Sequence, residues 1–190
     1  MAVKTFTTGE VLTAADTNTY LNNGGLVYVG QTTAGSGVTT ITLNNIFSAT
    51  YNAYRIVIAG GSSTGALSVS MQLINSGGTA ATTQYYETFI YSAYTGSTVS
   101  AANTNNGSNF VRAAACVSSS DCASGAFDLL NPFAAKFTHY YNAPNPAGGN
   151  GGQSIGYHGT ASSYTGILLT SSVASALTGT VVTAYGYRLG

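Results

Sequence analysis

The stretch Leu67-Ser-Val-Ser-Met-Gln-Leu73 puts an apolar side chain at every second position and a polar one between. Side chains alternate across a strand but recur every three to four residues around a helix, so this pattern specifies a strand with one buried face. The same period, carried by β-branched and aromatic residues, runs from Leu26 onward. It predicts strands over Leu26–Gln31, Val38–Leu43, Ala53–Ala59, Leu67–Ile74, Tyr85–Tyr94, Phe110–Val117, Gly125–Leu130, Phe137–Tyr141, Gln153–His158, Thr165–Thr170 and Val181–Arg188. Arg55-Ile-Val-Ile58 reads as a strand covered on both faces. Ala34–Gly37, Gly60–Gly65, Asn75–Gly78 and Asn103–Asn109 read as turns, and 142–152 as a long irregular loop. Short strands joined by glycine-rich turns predict an all-β chain, a jelly-roll-like antiparallel β-sandwich over 26–190. No solenoid or heptad period appears, so no fibre shaft is expected.

Residues 1–25 differ. Thr13-Ala-Ala-Asp16 has the form of a capping box, and Asn22-Asn23-Gly24-Gly25 that of a left-handed stop. A short helix over 14–22 is predicted, too short to be stable alone and so expected to dock on a partner.

The charge content limits the chemistry. Only 5% of the 190 residues are charged, and the formal net charge is zero, against about 25% in an ordinary domain. There is no basic footprint for nucleic acid or anionic lipid. No apolar run approaches the roughly 18 residues of a membrane span, so no membrane insertion is expected. The opening lacks the apolar core of a secretory signal. Such a neutral polar surface suits a homo-oligomer or a larger assembly better than an acid/base enzyme. Cys116 and Cys122 flank a hairpin-like loop that a disulfide could close, but a chain without an export signal is expected to fold in a reducing compartment with free, mostly buried thiols.

Hydrolysis needs an activated nucleophile or paired carboxylates. No Gly-x-Ser-x-Gly elbow is present. Glu87 and Asp128 are the carboxylates in strand contexts, read first as ion-pair or hydrogen-bond partners of Arg112, Lys136 or Arg188 and only remotely as a glycosidase pair. His139 and His158 read as structural or surface histidines rather than metal ligands beside Asp128. No catalytic residue, metal site or cofactor is expected. The 14 tyrosines are the informative enrichment. Buried, they pack sheets or subunits; exposed, they offer a flat apolar face and one hydroxyl to a sugar or protein. Tyr140, Tyr141, Asn145, Asn150 and Tyr157, in and around the 142–152 loop, are the candidate recognition residues.

The opening Lys4-Thr-Phe-Thr-Thr-Gly-Glu-Val-Leu-Thr-Ala-Ala-Asp-Thr-Asn-Thr-Tyr-Leu21 resembles the N-terminal segment of tailed-phage virion proteins. Tyr51-Asn-Ala-Tyr-Arg-Ile-Val-Ile58 and Ala184-Tyr-Gly-Tyr-Arg188 are similar to stretches in the β-rich heads of phage fibre and tail proteins. The resemblance implies a virion location after assembly in the host cytoplasm, a homotrimer, and docking on other virion proteins through Phe6, Val11, Leu12, Tyr20 and Leu21. It implies a short fibre or receptor-binding subunit that takes a host-surface saccharide or protein. A capsid decoration, cement or head-fibre subunit is the alternative, and a glycan depolymerase a remote one.

Overall fold

The computed structural model describes residues 7–11, 13, 25–93, 95–116, 124–142, 150–172 and 177–188. The predicted helix over 14–22 lies outside the described residues, as do Phe6, Leu12, Tyr20, Leu21 and Asn145. Among the described residues there is no helix, and the chain forms fourteen strands. They are β1 (Leu26–Thr33), β2 (Thr40–Leu43), β3 (Ala53–Ala59), β4 (Ser62–Ser63), β5 (Leu67–Ile74), β6 (Tyr85–Ala93), β7 (Val99–Gly107), β8 (Phe110–Cys116), β9 (Gly125–Leu130), β10 (Thr138–Asn142), β11 (Asn150–His158), β12 (Gly166–Ser171), β13 (Leu177–Thr178) and β14 (Val181–Tyr187).

An eight-stranded sheet runs β1-β14-β3-β9-β10-β11-β6-β7, and a four-stranded sheet runs β2-β12-β5-β8. All their pairings are antiparallel. β4 and β13 form a separate two-stranded pair. The period of two explains the core. Leu67, Val69, Met71 and Leu73 of β5 point into the same buried cluster as Tyr54, Ile56 and Ile58 of β3, Phe127 and Leu129 of β9, and Ile167 and Leu169 of β12. β3 is not covered on both faces as its composition implied. Tyr54, Ile56 and Ile58 are buried, whereas Arg55 and Val57 lie half-buried on the outer face.

Three fully buried tyrosines tie this body together. Tyr85 of β6 accepts a hydrogen bond from Leu73 N on the opposite sheet at 2.8 Å and donates to Ala81 O. Tyr140 of β10 donates to Arg112 O on β8 at 2.8 Å, with its ring stacked on Phe110 at 4.4 Å. The Tyr54 hydroxyl accepts from Ser48 N and donates to Ser48 O, holding the loop before β3. Each ring fills the core while its hydroxyl satisfies buried backbone.

The two stretches quoted for the head-domain resemblance are neighbours. β3 pairs with β14, setting Arg55 opposite Tyr185 and Tyr54 opposite Gly186. The Tyr51 ring covers Gly186 so closely that a Cβ there would collide with it.

The expectation of free thiols is overturned: Cys116 is buried and disulfide-bonded, and Cys122 is the one other cysteine in the sequence. The reason is local. The chain returns antiparallel beside the end of β8, where Ala115 and Ser124 exchange backbone hydrogen bonds. A hairpin of that kind brings its flanks within bridging distance.

Candidate functional site

Register sorts the candidate side chains onto two faces. Across the eight-stranded sheet, Tyr28 lies opposite Tyr185, Tyr185 opposite Arg55, Arg55 opposite Asp128, and Asp128 opposite Tyr141. The row continues through Ile155 and Thr88 to Asn103. A parallel row sets His139 opposite Tyr157 and Tyr157 opposite Tyr86. These side chains share the face turned away from the four-stranded sheet. That outer face carries Leu26, Tyr28, Ile90, Val99, Tyr141, Ile155 and Tyr157, all exposed.

The recognition candidates therefore separate. Tyr141 and Tyr157 stand on the outer face, whereas Tyr140 is fully buried and presents no surface in the isolated chain. Two adjacent residues of one strand must point to opposite sides of the sheet, so Tyr140 and Tyr141 could not have shared a surface. Asn150 opens β11, its backbone paired with Ala93. Of the anchor candidates Val11 is described, and it is 79% exposed beyond a turn at Thr7–Glu10 that Glu10 caps by accepting from Thr7 N.

The same parity separates the two carboxylates. Asp128 is on the outer face, where Tyr187 donates to it at 2.8 Å and Arg55 sits 3.4 Å away. Glu87 precedes Thr88 and so points inward, three strands away across β10 and β11. It accepts from Val111 N at 2.6 Å and from the Ser154 hydroxyl, near the charge of Arg112. Burial pushes its carboxyl above the ordinary value, and the two hydrogen bonds and Arg112 offset this only in part. The Arg112 guanidinium lies 4.8 Å from the Phe89 ring centre and 5.5 Å from that of Tyr91. Glu87 and Asp128 do not share a cleft. These two residues therefore do not form the facing pair that two-carboxylate glycoside cleavage requires.

His158 is buried. Its Nε2 lies 3.0 Å from Thr83 O, and its Nδ1 is 3.1 Å from the Tyr164 hydroxyl and 3.4 Å from Thr160 N. An ε-protonated neutral ring satisfies all three contacts, and burial holds its pKa below the ordinary value. Among the described residues no three His, Cys, Asp or Glu side chains cluster as a metal site. Among them, too, no helix is long and apolar enough to cross a membrane.

The outer face carries two depressions along β11, β6 and β7. One, of about 380 Å³, is lined by Ile90, Val99 and Ile155 together with Thr88 and Ser92. The other, of about 430 Å³, is lined by Tyr86, Thr88, Asn103, Asn105, His139 and Tyr157. The β6–β7 register slips beside Tyr86, where Asn106 adopts a left-handed backbone (φ 54°, tolerated by Asn) and its side chain accepts from Gln84 N. Tyr86, His139 and the Asn103–Asn105 pair stood outside the recognition set read from sequence. Asn103–Asn109 carries turn chemistry, and no sequence signal fixes its pairing with β6.

No protein-family model, curated protein or solved structure matches this chain.

Proposed function

We propose that this chain is a non-enzymatic virion subunit of a tailed phage, a short fibre or receptor-binding protein with a jelly-roll body, attached to the particle by residues 1–25 through a short N-terminal helix. The strand order supports the jelly-roll reading. Setting aside β4 and β13 and the strands β6, β7, β10 and β11 leaves β1-β14-β3-β9 facing β2-β12-β5-β8. Counted one to eight along the chain, these orders are 1-8-3-6 and 2-7-4-5, the wrapping of a two-Greek-key jelly roll. In this reading β6–β7 and β10–β11 are hairpins that widen one sheet. The disulfide at Cys116 is compatible with a particle that leaves the reducing host cytoplasm.

The observation that carries the binding role is the outer face of the eight-stranded sheet, rich in Tyr and Asn, poor in charge and backed by the buried core. A homotrimer accords with the low charge, the exposed Ile90 and Val99, and the outer edge of β7, which has no partner strand among the described residues and which association could shield.

Immunogold labelling of intact virions with antibody to this chain tests the reading. Gold on the tail or its fibres is the expected result. Gold spread over the head would replace it with a capsid decoration, cement or head-fibre role, and absence from purified particles would overturn the virion assignment.

A further inference from the structure

We infer that the groove between β11, β6 and β7 is a binding site for a neutral saccharide. The inference rests on the receptor-binding reading and deepens it by naming the ligand class and the site.

Three features of the groove converge. The first is its aromatic wall. Phe137, Tyr157 and Tyr86 stand in a near-parallel stack, with ring centres 5.8 Å and 4.8 Å apart and planes within 16° and 14°. Tyr157 covers one face of Tyr86, and Tyr86 lines the groove together with Asn103 and Asn105 of β7. The exposed face of a tyrosine packs against the C–H face of a sugar ring while its hydroxyl stays at the water boundary. The stack also fixes the ring before any ligand arrives, which reduces the ordering cost of binding.

The second feature is the polar rim. Among the described residues the side chains of Asn103, Asn105 and Thr88 have no hydrogen-bond partner, although many other polar groups of the sheet do. An amide offers a donor and an acceptor side by side, which matches neighbouring hydroxyls on a sugar. The register slip at Asn105–Asn106 turns this part of β7 out of the regular ladder and sets Asn105 beside the ring of Tyr86. Bulges re-aim side chains in this way where a surface has work to do.

The third is charge. No Asp, Glu, Lys or Arg side chain lines the groove from the outer face, and His139 is its one titratable imidazole. Glu87 contributes only backbone, since its carboxylate is bonded to Val111 N and Ser154 on the inner side. The groove therefore has no carboxylate, guanidinium or ammonium side chain of its own to repay the desolvation of a charged ligand group. The volume of about 430 Å³ lies within the usual range of about 300–1,000 Å³ for small-ligand sites. These are the properties of a site for uncharged hexose or N-acetylhexosamine units.

The test uses the full chain on a printed array of neutral and acidic oligosaccharides, followed by calorimetry with the best neutral binder. Binding is expected for neutral glycans, with affinity nearly unchanged between low and high salt. The double variant Asn103→Ala/Asn105→Ala should bind at least about tenfold more weakly, the loss expected for two hydrogen-bonding side chains. Tyr86→Ala should also weaken binding, while Thr40→Ala/Thr42→Ala on the opposite sheet should leave it unchanged. Equal binding by the asparagine variant, or a preference for acidic glycans, would overturn this site. Inhibition of virion adsorption by the soluble chain, measured in parallel, separates the two readings. Adsorption blocked without binding to any glycan would refute the saccharide and leave a protein receptor. Glycan binding lost in the variant, without any block of adsorption, would keep the site and refute the receptor role.

Discussion

The two outer faces of this molecule differ although the strands beneath them obey the same alternation. Outside the four-stranded sheet lie Thr40, Thr42, Ser68, Ser70, Gln72 and Thr170, with a half-buried Leu168. Outside the eight-stranded sheet lie tyrosines, exposed isoleucines and a valine, and the Arg55–Asp128 pair. Large apolar side chains in water gain nothing for folding and raise the risk of aggregation. Their concentration on one face is better explained by contact with something outside the chain. The small hydroxylated residues of the other face solvate it and, as with Ser70 donating to Thr170 O, bond across its strands. In the proposed function the outer face of the eight-stranded sheet is the working surface and the other is a wall of the core.

The largest effect should come from the apolar end of the working face. If the chain is a trimer, Ile90→Ser/Val99→Ser should shift its mass by light scattering from three times the 19.2 kDa of one chain toward a single chain. Leu168→Ser on the other face should leave the assembly intact. A wild-type monomer at micromolar concentration would remove the trimer, and equal behaviour of the two variants would remove the distinction between the faces.

The next comparison needs one strand only. Leu129 and Asp128 are adjacent on β9, Leu129 fully buried and Asp128 on the outer face. Leu129→Ala should cost about 2–5 kcal/mol in denaturant unfolding, the range for emptying a buried leucine site. Asp128→Ala should cost about 1 kcal/mol or less. Similar losses at the two positions would contradict the assigned parity of β9.

These faces were only partly legible in the sequence. Ala53–Ala59, Leu67–Ile74 and Gly125–Leu130 stand where alternation placed them, because their buried positions are large and apolar. The Asn103–Asn109 stretch reads as a turn, yet Asn103–Gly107 is the second half of β7, because asparagines favour turns until a neighbouring strand claims their backbone. The site was harder still. Tyr140 and Tyr141 look alike in sequence, and parity sends one into the core and the other to the surface. Glu87 and Asp128 were separated by the same rule. Which of two neighbours faces out depends on strand register, and register is set by pairings dozens of residues away.

Glu87 gives a sharper test of how the inner side of the working sheet is held. Its carboxyl titrates above the ordinary value of 4.5, mainly because it is buried. The folded protein therefore holds this proton in a pH range where the unfolded chain has released it. Unfolding stability should fall as pH rises from about 4.5 to the folded pKa and then level off. Glu87→Gln keeps an acceptor for Val111 N and a partner for Ser154, and should remove that fall. His158 acts in the opposite sense. Its pKa is lowered from 6.5, so its contribution is complete above that pH and is lost as pH falls through the folded value. Melting curves of wild type and Glu87→Gln between about pH 4 and 8 distinguish the two groups, because the histidine's acid loss should persist in the variant. A pH profile that the substitution leaves unchanged would show that Glu87 is not the titrating group.

The smallest effect belongs to the Arg55–Asp128–Tyr187 cluster. Arg55 and Asp128 side chains are 33% and 31% exposed. Water and salt screen a pair at that depth, and ordering the long arginine chain opposes what Coulomb attraction remains. The Tyr187 hydroxyl donates to Asp128 at 2.8 Å and accepts from Arg55 at 3.3 Å, so it couples the charges through hydrogen bonds. A double-mutant cycle over Arg55→Ala and Asp128→Ala should give a coupling of about 0.2–1 kcal/mol that shrinks in high salt. Repeating the cycle in Tyr187→Phe should lower the coupling further, since each charge then loses the hydroxyl it shares. A coupling above about 2 kcal/mol would instead mean that the pair is desolvated. The natural cause would be a subunit lying over it, which would extend the contact surface from the Ile90–Val99 end across the sheet to β3 and β14.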